Sequence, residues 1–378
     1  LCTAALLILS DPSLGQTARG KDKLKLQSIP NTPAPLEKNT DAEGESLPVG
    51  ALARLGSIRW RHGGRIIGSA LSRDGKRLAT VSPESVAVWD MDTGKVLFRF
   101  PGFTREERSG VHGYFSGPGI VSFSPDGKWL GVASLGDRAG VWNMSDGAFR
   151  GFGPKDEFIC EGICHFSADS KEVVLNHGNG GARAWDVTTG KSRRKLPASD
   201  VLAFSANGQF YLRLDRDRDN AISVRNMRTD AEIMKFDAIY GEATPAFAAN
   251  SKSLVLVHDK KKQIQVWDIG AREPRVTFAT PKSAISRYTD TKQEFLRYCV
   301  EFSPDSKQIV MGTIGGRIHR WDLETKKELP VLGKHLSDIV SVHVSPDGKT
   351  VVSTESNGLV RRWDTRTQRE LTDLGDYQ

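Results

Sequence analysis

Short runs of alternating apolar and polar residues recur along the chain from about Leu52 onward. Runs such as Lys349–Ser353 and Leu359–Trp363 are rich in β-branched residues, and their apolar positions repeat every second residue. This period is that of a half-buried strand and differs from the 3.6-residue period of a helix. The pattern therefore predicts a chain of short antiparallel strands.

A turn signal follows the first strand of each predicted unit. It combines a small residue, then Asp or Asn, then Gly or Ser, and it occurs at Ser72–Gly75, Ser124–Gly127, Ser167–Ser170, Ser205–Gly208, Ala248–Ser251, Ser303–Ser306 and Ser345–Gly348. Ser and Asp cap such turns, Pro presets φ at the second position, and Gly or Asn tolerates the left-handed conformation. The signal predicts seven tight β-turns.

A second marker, usually Trp-Asp, comes 15 to 18 residues after the Asp or Asn of each turn. Its first residues are Trp89, Trp142, Trp185, Arg225, Trp267, Trp321 and Trp363. One such unit makes a small sheet whose apolar face it cannot bury alone, so neighbouring units must stack. Closing the array into a ring also protects the sheet edges.

These residues resemble a known repeat family. The Trp-Asp marker, the turn Ser345–Lys349 and a spacing near 42 residues look like WD40 repeats, and Leu47–Gly56 with Arg61–Gly64 resembles the lead-in of bacterial secreted WD-repeat proteins. The resemblance covers residues 50–378. It implies an all-β, seven-bladed propeller with four-stranded antiparallel blades over residues 49–378, acting as a platform for protein partners.

The chain departs from the family pattern in ways that bear on blade stacking. Arg225 stands at the Trp position of the fourth repeat, and the family's loop His has counterparts at His62, His112 and His335. The turn Asp that this His meets in the family is Asn357 in the seventh repeat. We therefore expect blade stacking to rest mainly on apolar packing.

The ring needs an outer strand for its last blade, and the sequence offers two. Leu52–Trp60 precedes the first turn signal and has no blade of its own, so we expect it to supply that strand. Glu370–Gln378 competes for the same place.

The beginning of the chain has a different composition. Leu1–Ser10 is apolar and is followed by small polar residues, which resembles the end of a secretory signal peptide over residues 1–18. Residues 19–48 have few large apolar side chains and are predicted to be a flexible linker. This favours a secreted, periplasmic or envelope-associated protein; a frayed end of a cytoplasmic chain is the alternative.

Charge and cysteine content narrow the function classes. The 53 basic and 46 acidic residues are interleaved and give a net charge of +7, which suits a soluble surface better than a nucleic-acid-binding one. The spacing of Cys160 and Cys164 is not that of a zinc or redox site, so these residues and Cys299 are predicted to be buried thiols. No cofactor, metal, nucleic acid or membrane span is predicted, and the propeller is expected to be monomeric.

The spacing between successive markers predicts where partners bind. It is 53, 43, 40, 42, 54 and 42 residues, so Phe100–Gly119 and Pro281–Arg297 are long connections, which we expect to form two lips on one face. They carry the Arg and aromatic residues typical of binding hot spots: Arg105, Arg108, His112, Tyr114, Phe115, Arg287, Tyr288 and Arg297. Alternatively the aromatic rings pack back onto the blades.

No catalytic signature accompanies these features. Asp215–Asn220 opens like a calcium loop but lacks its Gly and final Glu, which favours a solvated turn. The sequence has no nucleophile elbow, zinc-protease helix or phosphate loop. The leading hypothesis is a non-catalytic protein-interaction scaffold. The alternatives are a propeller-class hydrolase or lyase with residues dispersed over several blades, and an interaction module of a longer multidomain protein.

Overall fold

The computed structural model describes residues 59–101, 121–132, 139–152, 164–177, 181–196, 201–215, 221–239, 243–258, 261–281 and 298–371. All regular structure in these ranges is β-strand, arranged in seven antiparallel sheets. The predicted seven-bladed propeller with four-stranded blades is confirmed. The predicted signal peptide and linker lie outside the described residues.

The first four blades follow one another along the chain. The first contains β1 (Gly68–Leu71), β2 (Arg77–Val81), β3 (Ser85–Asp90) and β4 (Val96–Pro101). The second contains β5 (Val121–Phe123), β6 (Trp129–Val132), β7 (Ala139–Asn143) and β8 (Phe149–Phe152). The third contains β9 (Cys164–Phe166), β10 (Glu172–His177), β11 (Gly181–Asp186) and β12 (Ser192–Lys195). The fourth contains β13 (Val201–Phe204), β14 (Phe210–Asp215), β15 (Ala221–Asn226) and β16 (Glu232–Ile239).

The last three blades keep the same strand order. The fifth contains β17 (Ala243–Phe247), β18 (Ser253–His258), β19 (Gln263–Asp268) and β20 (Val276–Ala279). The sixth contains β21 (Tyr298–Phe302), β22 (Gln308–Thr313), β23 (Ile318–Asp322) and β24 (Lys327–Leu329). The seventh contains only three regular strands, β25 (Ile339–Val344), β26 (Thr350–Glu355) and β27 (Val360–Asp364).

The predicted turns connect the first and second strands of the blades. In the first blade the amide of Gly75 donates to the Ser72 carbonyl at 2.8 Å, and the Ser72 hydroxyl donates to Asp74 at 2.6 Å. Gly75 has a φ of 72°, in the left-handed region that favours glycine. Ser170 occupies the matching position in the third blade with a φ of 61°. The turn geometry therefore survives without glycine.

Apolar side chains join each blade to the next. The described residues form seven hydrophobic clusters, and each combines strands of two consecutive blades. One of them brings Leu78 and Trp89 of the first blade against Val352 and Val360 of the seventh. The ring is therefore closed. Apolar burial at about 25 cal/mol per Å² is the main force that holds the blades together.

The marker position explains the departure in the fourth blade. In six blades the marker Trp pairs across the sheet with an aliphatic residue of the second strand, such as Leu78 with Trp89. In the fourth blade Arg225 pairs with Tyr211, and Tyr211 is buried in the cluster shared with the third blade. The large aromatic ring of this blade therefore lies on the second strand and not on the third, and it still fills the junction with the third blade.

Polar contacts stabilise this exchanged pair. The Tyr211 hydroxyl donates to the Asp230 carboxylate, and Arg225 donates to the Asp230 carbonyl at 2.6 Å. The Arg225 guanidinium also lies 3.4 Å from the Asp230 carboxylate. Burial and the neighbouring Asp230 raise the pKa of Tyr211, which keeps the phenol neutral.

Both ends of the propeller complete the seventh blade. Glu370 forms a bridge with Trp363, and the amide of Leu371 donates to the Arg362 carbonyl at 2.8 Å. Further along the same edge, Arg61 forms a bridge with Leu359. Glu370 and Leu371 of the second predicted segment therefore cover one half of the β27 edge. The other half is covered by Arg61 together with Trp60, the last residue of the first predicted segment, whose carbonyl accepts from the Val360 amide at 2.9 Å. Residues 52–58 and 372–378 lie outside the described residues.

In the sixth blade a single segment occupies the position that the two chain ends share in the seventh. There one continuous segment follows the edge of β23, first as β24 and then through the bridge between Arg317 and Lys334. The bridge between Arg61 and Leu359 occupies the corresponding place in the seventh blade. The outer strand of the last blade is thus assembled from two segments about 300 residues apart in the chain.

Specific side chains hold the two halves. Arg361 donates twice to the Glu370 carboxylate, at 3.1 and 2.9 Å. Trp60 stacks on Trp89 with ring centroids 6.1 Å apart, and the Arg362 guanidinium lies 4.6 Å above the Trp60 ring. The ring closure therefore combines stacking, a cation–π contact and an ion pair.

One predicted boundary was wrong. Phe100 was expected to begin the long connection after the first blade, but it belongs to β4 and stacks on Trp142 with centroids 4.7 Å apart. The strand continues through Phe100 because this ring fills the junction with the second blade.

We expect Trp60→Ala to lower the free energy of unfolding by about 3 kcal/mol, the usual cost of truncating a buried Trp. The matched control is Leu97→Ala on the exposed face of β4, for which we expect a change below about 0.5 kcal/mol. Urea unfolding followed by circular dichroism measures both. A loss for Trp60→Ala no larger than that for Leu97→Ala would contradict this account of the closure.

The exchanged pair in the fourth blade allows a double-mutant test. Arg225→Trp alone overpacks the junction against Tyr211, and Tyr211→Leu alone leaves a cavity, so each should cost roughly 1–3 kcal/mol. The double variant restores the arrangement of the other blades. We expect it to be more stable than the sum of the single effects by at least about 1 kcal/mol. Additive losses in the same unfolding assay would refute the exchange.

Candidate functional site

The propeller has two different faces. One face, the turn face, carries the turns between the first and second and between the third and fourth strands of each blade. The other, the loop face, carries the connections between the second and third strands and those that lead to the next blade. The two long connections predicted as lips follow β4 and β20, so both begin on the loop face.

The predicted partner-binding residues do not fall in the described ranges. This applies to all eight: Arg105, Arg108, His112, Tyr114, Phe115, Arg287, Tyr288 and Arg297. Their part in binding stays a prediction. The seven marker residues are all described and lie on the third strands of their blades.

A continuous sector of the loop face is described where the sixth, seventh and first blades meet. Backbone hydrogen bonds join its loops to one another. The amide of His335 donates to the Gly316 carbonyl at 2.6 Å, that of Ser356 to Asp338 at 2.9 Å, and that of His62 to Gly358 at 2.8 Å. We call residues 61–65, 314–317, 334–338 and 356–359 the closure sector.

One leucine projects from the closure sector. Leu336 is 89% exposed, and the other exposed large apolar side chains among the described residues lie along outer blade edges: Leu97, Phe149, Ile233 and Leu371. Its neighbours are fixed, because His335 is buried and the Ser337 hydroxyl bonds to the Ser356 hydroxyl at 2.8 Å. The leucine is therefore presented by an anchored loop.

A buried hydrogen-bond relay fixes this loop from below. Trp363 donates to the Ser353 hydroxyl at 2.8 Å, and Ser353 bonds to His335 Nε2 at 2.7 Å. His335 Nδ1 lies 2.6 Å from Glu355, whose side chain is fully buried. Burial alone raises the pKa of Glu355, but hydrogen bonds from His335 and Arg361 bring that pKa below its ordinary value.

This relay corrects one expectation. The sequence placed Asn357 where the loop His meets its acid, but the His335 ring bonds to Glu355 at the end of β26. The Asn357 amide donates to the second Glu355 oxygen at 3.0 Å. The acid lies two residues earlier in the chain than expected, so the seventh blade keeps the relay although Asn357 stands at the acid's position in the family.

His62 makes a similar relay in the first blade. The Trp89 indole donates to the Thr80 hydroxyl at 2.8 Å, and Thr80 bonds to His62 Nδ1 at 2.7 Å. His62 Nε2 lies 3.0 Å from the Ser85 hydroxyl, so no carboxylate ends this relay. Burial, together with the nearby Arg99 cation, lowers the pKa of His62 to about 4.

The charge of the closure sector is mainly positive. Arg61, Arg317 and Lys334 are exposed, and no ion pair among the described residues engages them. Arg65 is also exposed and faces Asp338, which lies in the same sector. The sector therefore presents several cations and the Leu336 side chain on loops that are hydrogen-bonded to one another.

A second polar network lies on the inner strands of the same three blades. His343 Nδ1 is 3.0 Å from the Glu301 carboxylate, and His343 Nε2 is 2.9 Å from the Ser69 hydroxyl. Ser69 also bonds to Ser341, which bonds to Thr354 at 2.6 Å. The acid, imidazole and hydroxyl have the separations of a hydrolytic triad.

The solvent exposure of these three side chains is the reverse of that in a hydrolase. A hydrolase exposes its nucleophile to substrate and buries the acid that orients the base. Here the Glu301 side chain is 38% exposed, the His343 side chain 13%, and Ser69 only 2%. The network therefore links three blades at the ring closure and offers substrate no open hydroxyl.

The candidate calcium loop begins differently from the expected solvated turn. Asp215 is buried at the end of β14, where it accepts a hydrogen bond from Ser223 at 2.9 Å and an ion pair from Arg213 at 3.1 Å. Its carboxylate is thus engaged within the blade, and residues 216–220 lie outside the described ranges. Across the described part of the chain no group of His, Cys, Asp or Glu side chains is placed to hold a metal ion.

Two predicted thiols are confirmed as buried. Cys164 and Cys299 are free and lie on inner strands. Gly131 of the preceding blade and Gly312 of the paired strand β22 leave room for their sulfur atoms. Burial raises the pKa of both thiols, that of Cys299 to about 12. Neither is a reactive thiolate. Cys160 lies outside the described residues.

Comparison with known proteins agrees with the repeat pattern. The family model described as WD domain, G-beta repeat matches residues 326–364, which span β24 to β27. The match covers one repeat of the chain. Together with the seven-bladed ring, it supports the WD40 family.

Two curated plant proteins are similar to parts of the chain. Periodic tryptophan protein 2 of Arabidopsis thaliana is 22% identical over 251 residues, which cover 62% of this chain and 24% of that protein. Autophagy-related protein 16 of the same organism is 26% identical over 174 residues, covering 44% of this chain and 31% of that protein. The chain thus spans about a quarter to a third of the length of these relatives.

No helix in the described ranges is long and apolar enough to cross a membrane.

The pKa of His62 predicts how stability depends on pH. Unfolding returns the pKa of His62 from about 4 to 6.5, so between these pH values only the unfolded chain binds this proton. Stability is therefore lost as pH falls through this window. We expect His62→Gln, which cannot be protonated, to reduce the slope of unfolding free energy against pH by up to about 1.4 kcal/mol per unit.

His165 offers an independent check, because burial also lowers its pKa to about 4 in the third blade. His165→Gln should reduce the slope in the same window, and the two effects should add because the sites are far apart. Denaturation curves at several pH values measure both variants. An unchanged slope in His62→Gln would show that the folded chain binds this proton as readily as the unfolded one.

Proposed function

We propose that this chain is a non-catalytic protein-binding platform that presents its loop face to partner proteins. The observation that carries the proposal is the anchored, exposed Leu336 on a closure sector whose loops are joined by backbone hydrogen bonds. Because the loop that carries Leu336 is anchored by hydrogen bonds, binding there requires little ordering of the backbone.

The comparisons support a platform in general terms. The WD40 family match and the similarity to Periodic tryptophan protein 2 and Autophagy-related protein 16 favour a propeller that binds proteins. The activities and partners of these longer proteins are not transferred, because the chain covers only 24% and 31% of their lengths. The two predicted lips would extend the binding surface on the same face.

A hydrolytic function has weaker support. Its best candidate is the network of Glu301, His343 and Ser69, whose hydroxyl is buried and shared with Ser341. We therefore assign that network a structural role within the platform. We also propose a secreted, periplasmic or envelope-associated location, which the apolar composition of Leu1–Ser10 supports.

The proposal predicts that Leu336→Asp weakens partner binding and leaves the fold intact. A charge in place of an exposed leucine removes the apolar contact and adds a desolvation cost at the interface. The matched control is Leu97→Asp, on an outer strand away from the loop face. Affinity capture from an extract of the source organism, followed by quantitative mass spectrometry, compares the two variants with the original chain.

We expect proteins captured by the original chain to be retained by Leu97→Asp and lost, by about tenfold or more, from Leu336→Asp, which corresponds to about 1.4 kcal/mol. Circular dichroism confirms that both variants fold. Equal capture by all three proteins would remove Leu336 from the binding surface. Loss of captured proteins from Leu97→Asp alone would show that partners bind at the outer blade edges.

A further inference from the structure

The closure sector combines one exposed leucine with a set of cations. Leu336 is flanked in sequence by Lys334, and Lys334 is the bridge partner of Arg317. Arg61 and Arg65 belong to the next loop of the sector, which is joined to the seventh blade through His62. Four basic side chains thus accompany one apolar side chain on loops that are hydrogen-bonded to one another.

These cations are available for a partner. Some other basic side chains are neutralised within the blades, as Arg225 is by Asp230 and Arg361 is by Glu370. In the closure sector Arg61, Arg317 and Lys334 are exposed and take part in no ion pair of the described chain. Exposed cations on a fixed backbone attract an acidic partner and set its orientation.

We propose that the closure sector docks an acidic protein segment that carries an apolar side chain. The apolar residue packs on Leu336, and its acidic neighbours contact Arg317 and Lys334 on one side and Arg61 on the other. This inference rests on the proposed platform function and names the partner chemistry. It requires no change of the propeller, because the loops are already held in place.

The distribution of charge favours a protein segment over an anionic membrane. Asp338 and Glu84 are exposed beside the cations, and the two carboxylates would face the headgroups of an anionic bilayer. One leucine also buries too little apolar surface to anchor a protein in lipid. A peptide, in contrast, can place each acidic side chain opposite one cation and avoid the two carboxylates.

Fluorescence anisotropy tests the inference directly. The probe is a short fluorescein-labelled peptide of glutamates and serines with a central leucine, titrated with the full chain at low ionic strength. One control peptide has lysine in place of every glutamate, and another has alanine in place of the leucine. We expect binding of the acidic leucine peptide, at least tenfold weaker binding of the alanine peptide, and none of the basic peptide.

Variants locate the contact. Leu336→Ala should weaken binding of the acidic leucine peptide about tenfold and leave binding of the alanine peptide unchanged. The double variant R317E/K334E should weaken binding of both peptides. The matched control is Lys349→Glu on the turn face, whose side chain is 80% exposed and which should bind normally. Added salt should weaken binding, since exposed charges are screened within about 10 Å at 0.1 M.

Several outcomes would overturn the inference. Equal binding of acidic and basic peptides, or equal loss in Lys349→Glu, would show that the sector has no preference for acidic segments. Binding to phosphatidylserine vesicles that is lost in Leu336→Ala would make the partner a lipid surface. Self-association through Leu336, detected by analytical ultracentrifugation, would make it a second copy of this chain.

The experiments distinguish a failure of the proposed platform function from a failure of the proposed partner chemistry. If Leu336→Asp loses its captured proteins but no acidic peptide binds selectively, the platform function stands and the partner chemistry is wrong. If capture is independent of Leu336 and the peptide does not bind, both are wrong.

Discussion

Burial of apolar side chains between consecutive blades is the interaction on which the rest of this structure depends. Each blade has two apolar faces, and neither is covered until a neighbour stands on both sides. A linear array would leave two faces open, whereas the ring covers all of them. The cluster formed by Trp89 of the first blade and Val360 of the seventh is therefore as necessary as any of the other six.

The closing blade differs from the others because it is assembled from both ends of the propeller. Trp60–His62 and Arg369–Leu371 each pair with half of β27. Arginine side chains join this blade to both of its neighbours, as Arg150 joins the second blade to the Val187 carbonyl of the third. Arg320 donates to the Thr365 carbonyl across one junction, and Arg362 donates to Met91 across the next. Cooperative closure of this kind also fixes the loops above it.

The fixed loops connect the fold with the proposed function. His335 and His62 lie directly beneath the loop face, and their relays run down to Trp363 and Trp89 in the blade cores. The same hydrogen bonds that complete the blades therefore position Leu336 and the surrounding cations. A partner that binds this sector contacts a surface held by the ring closure itself, so stability and recognition are coupled at one place.

The sequence was sufficient to predict the repeat architecture because its turn and Trp markers recur with a fixed spacing, as Gly75 and Trp89 show in the first blade. Relationships between strands were harder to predict. From the sequence alone, Arg225 in place of Trp indicates a poorly packed fourth blade, because its cross-strand pairing with Tyr211 is visible only in the structure. The same holds for Glu355, which reaches His335 from two residues before the expected position.

The candidate site was predicted only in part. Arg and aromatic residues in the long connections gave a recognisable signal, whereas the closure sector did not. Leu336 is an ordinary leucine in a short loop, and only its 89% exposure marks it. The network of Glu301, His343 and Ser69 draws on three blades, so no local motif could indicate it.

The most direct test of the account is a disulfide across the closure. Arg61 and Leu359 face each other between the hydrogen bonds from Val360 to Trp60 and from His62 to Gly358, a pairing in which Cα atoms lie about 4.5 Å apart. R61C with L359C should form a crosslink within one chain on mild oxidation, seen as faster migration without reductant. It should raise the free energy of unfolding by about 2–4 kcal/mol. The corresponding pair R317C and K334C serves as a positive control within the sixth blade, and R61C with K349C as a negative control. A crosslink in the positive control but none between residues 61 and 359 would contradict a ring closed by both ends of the propeller.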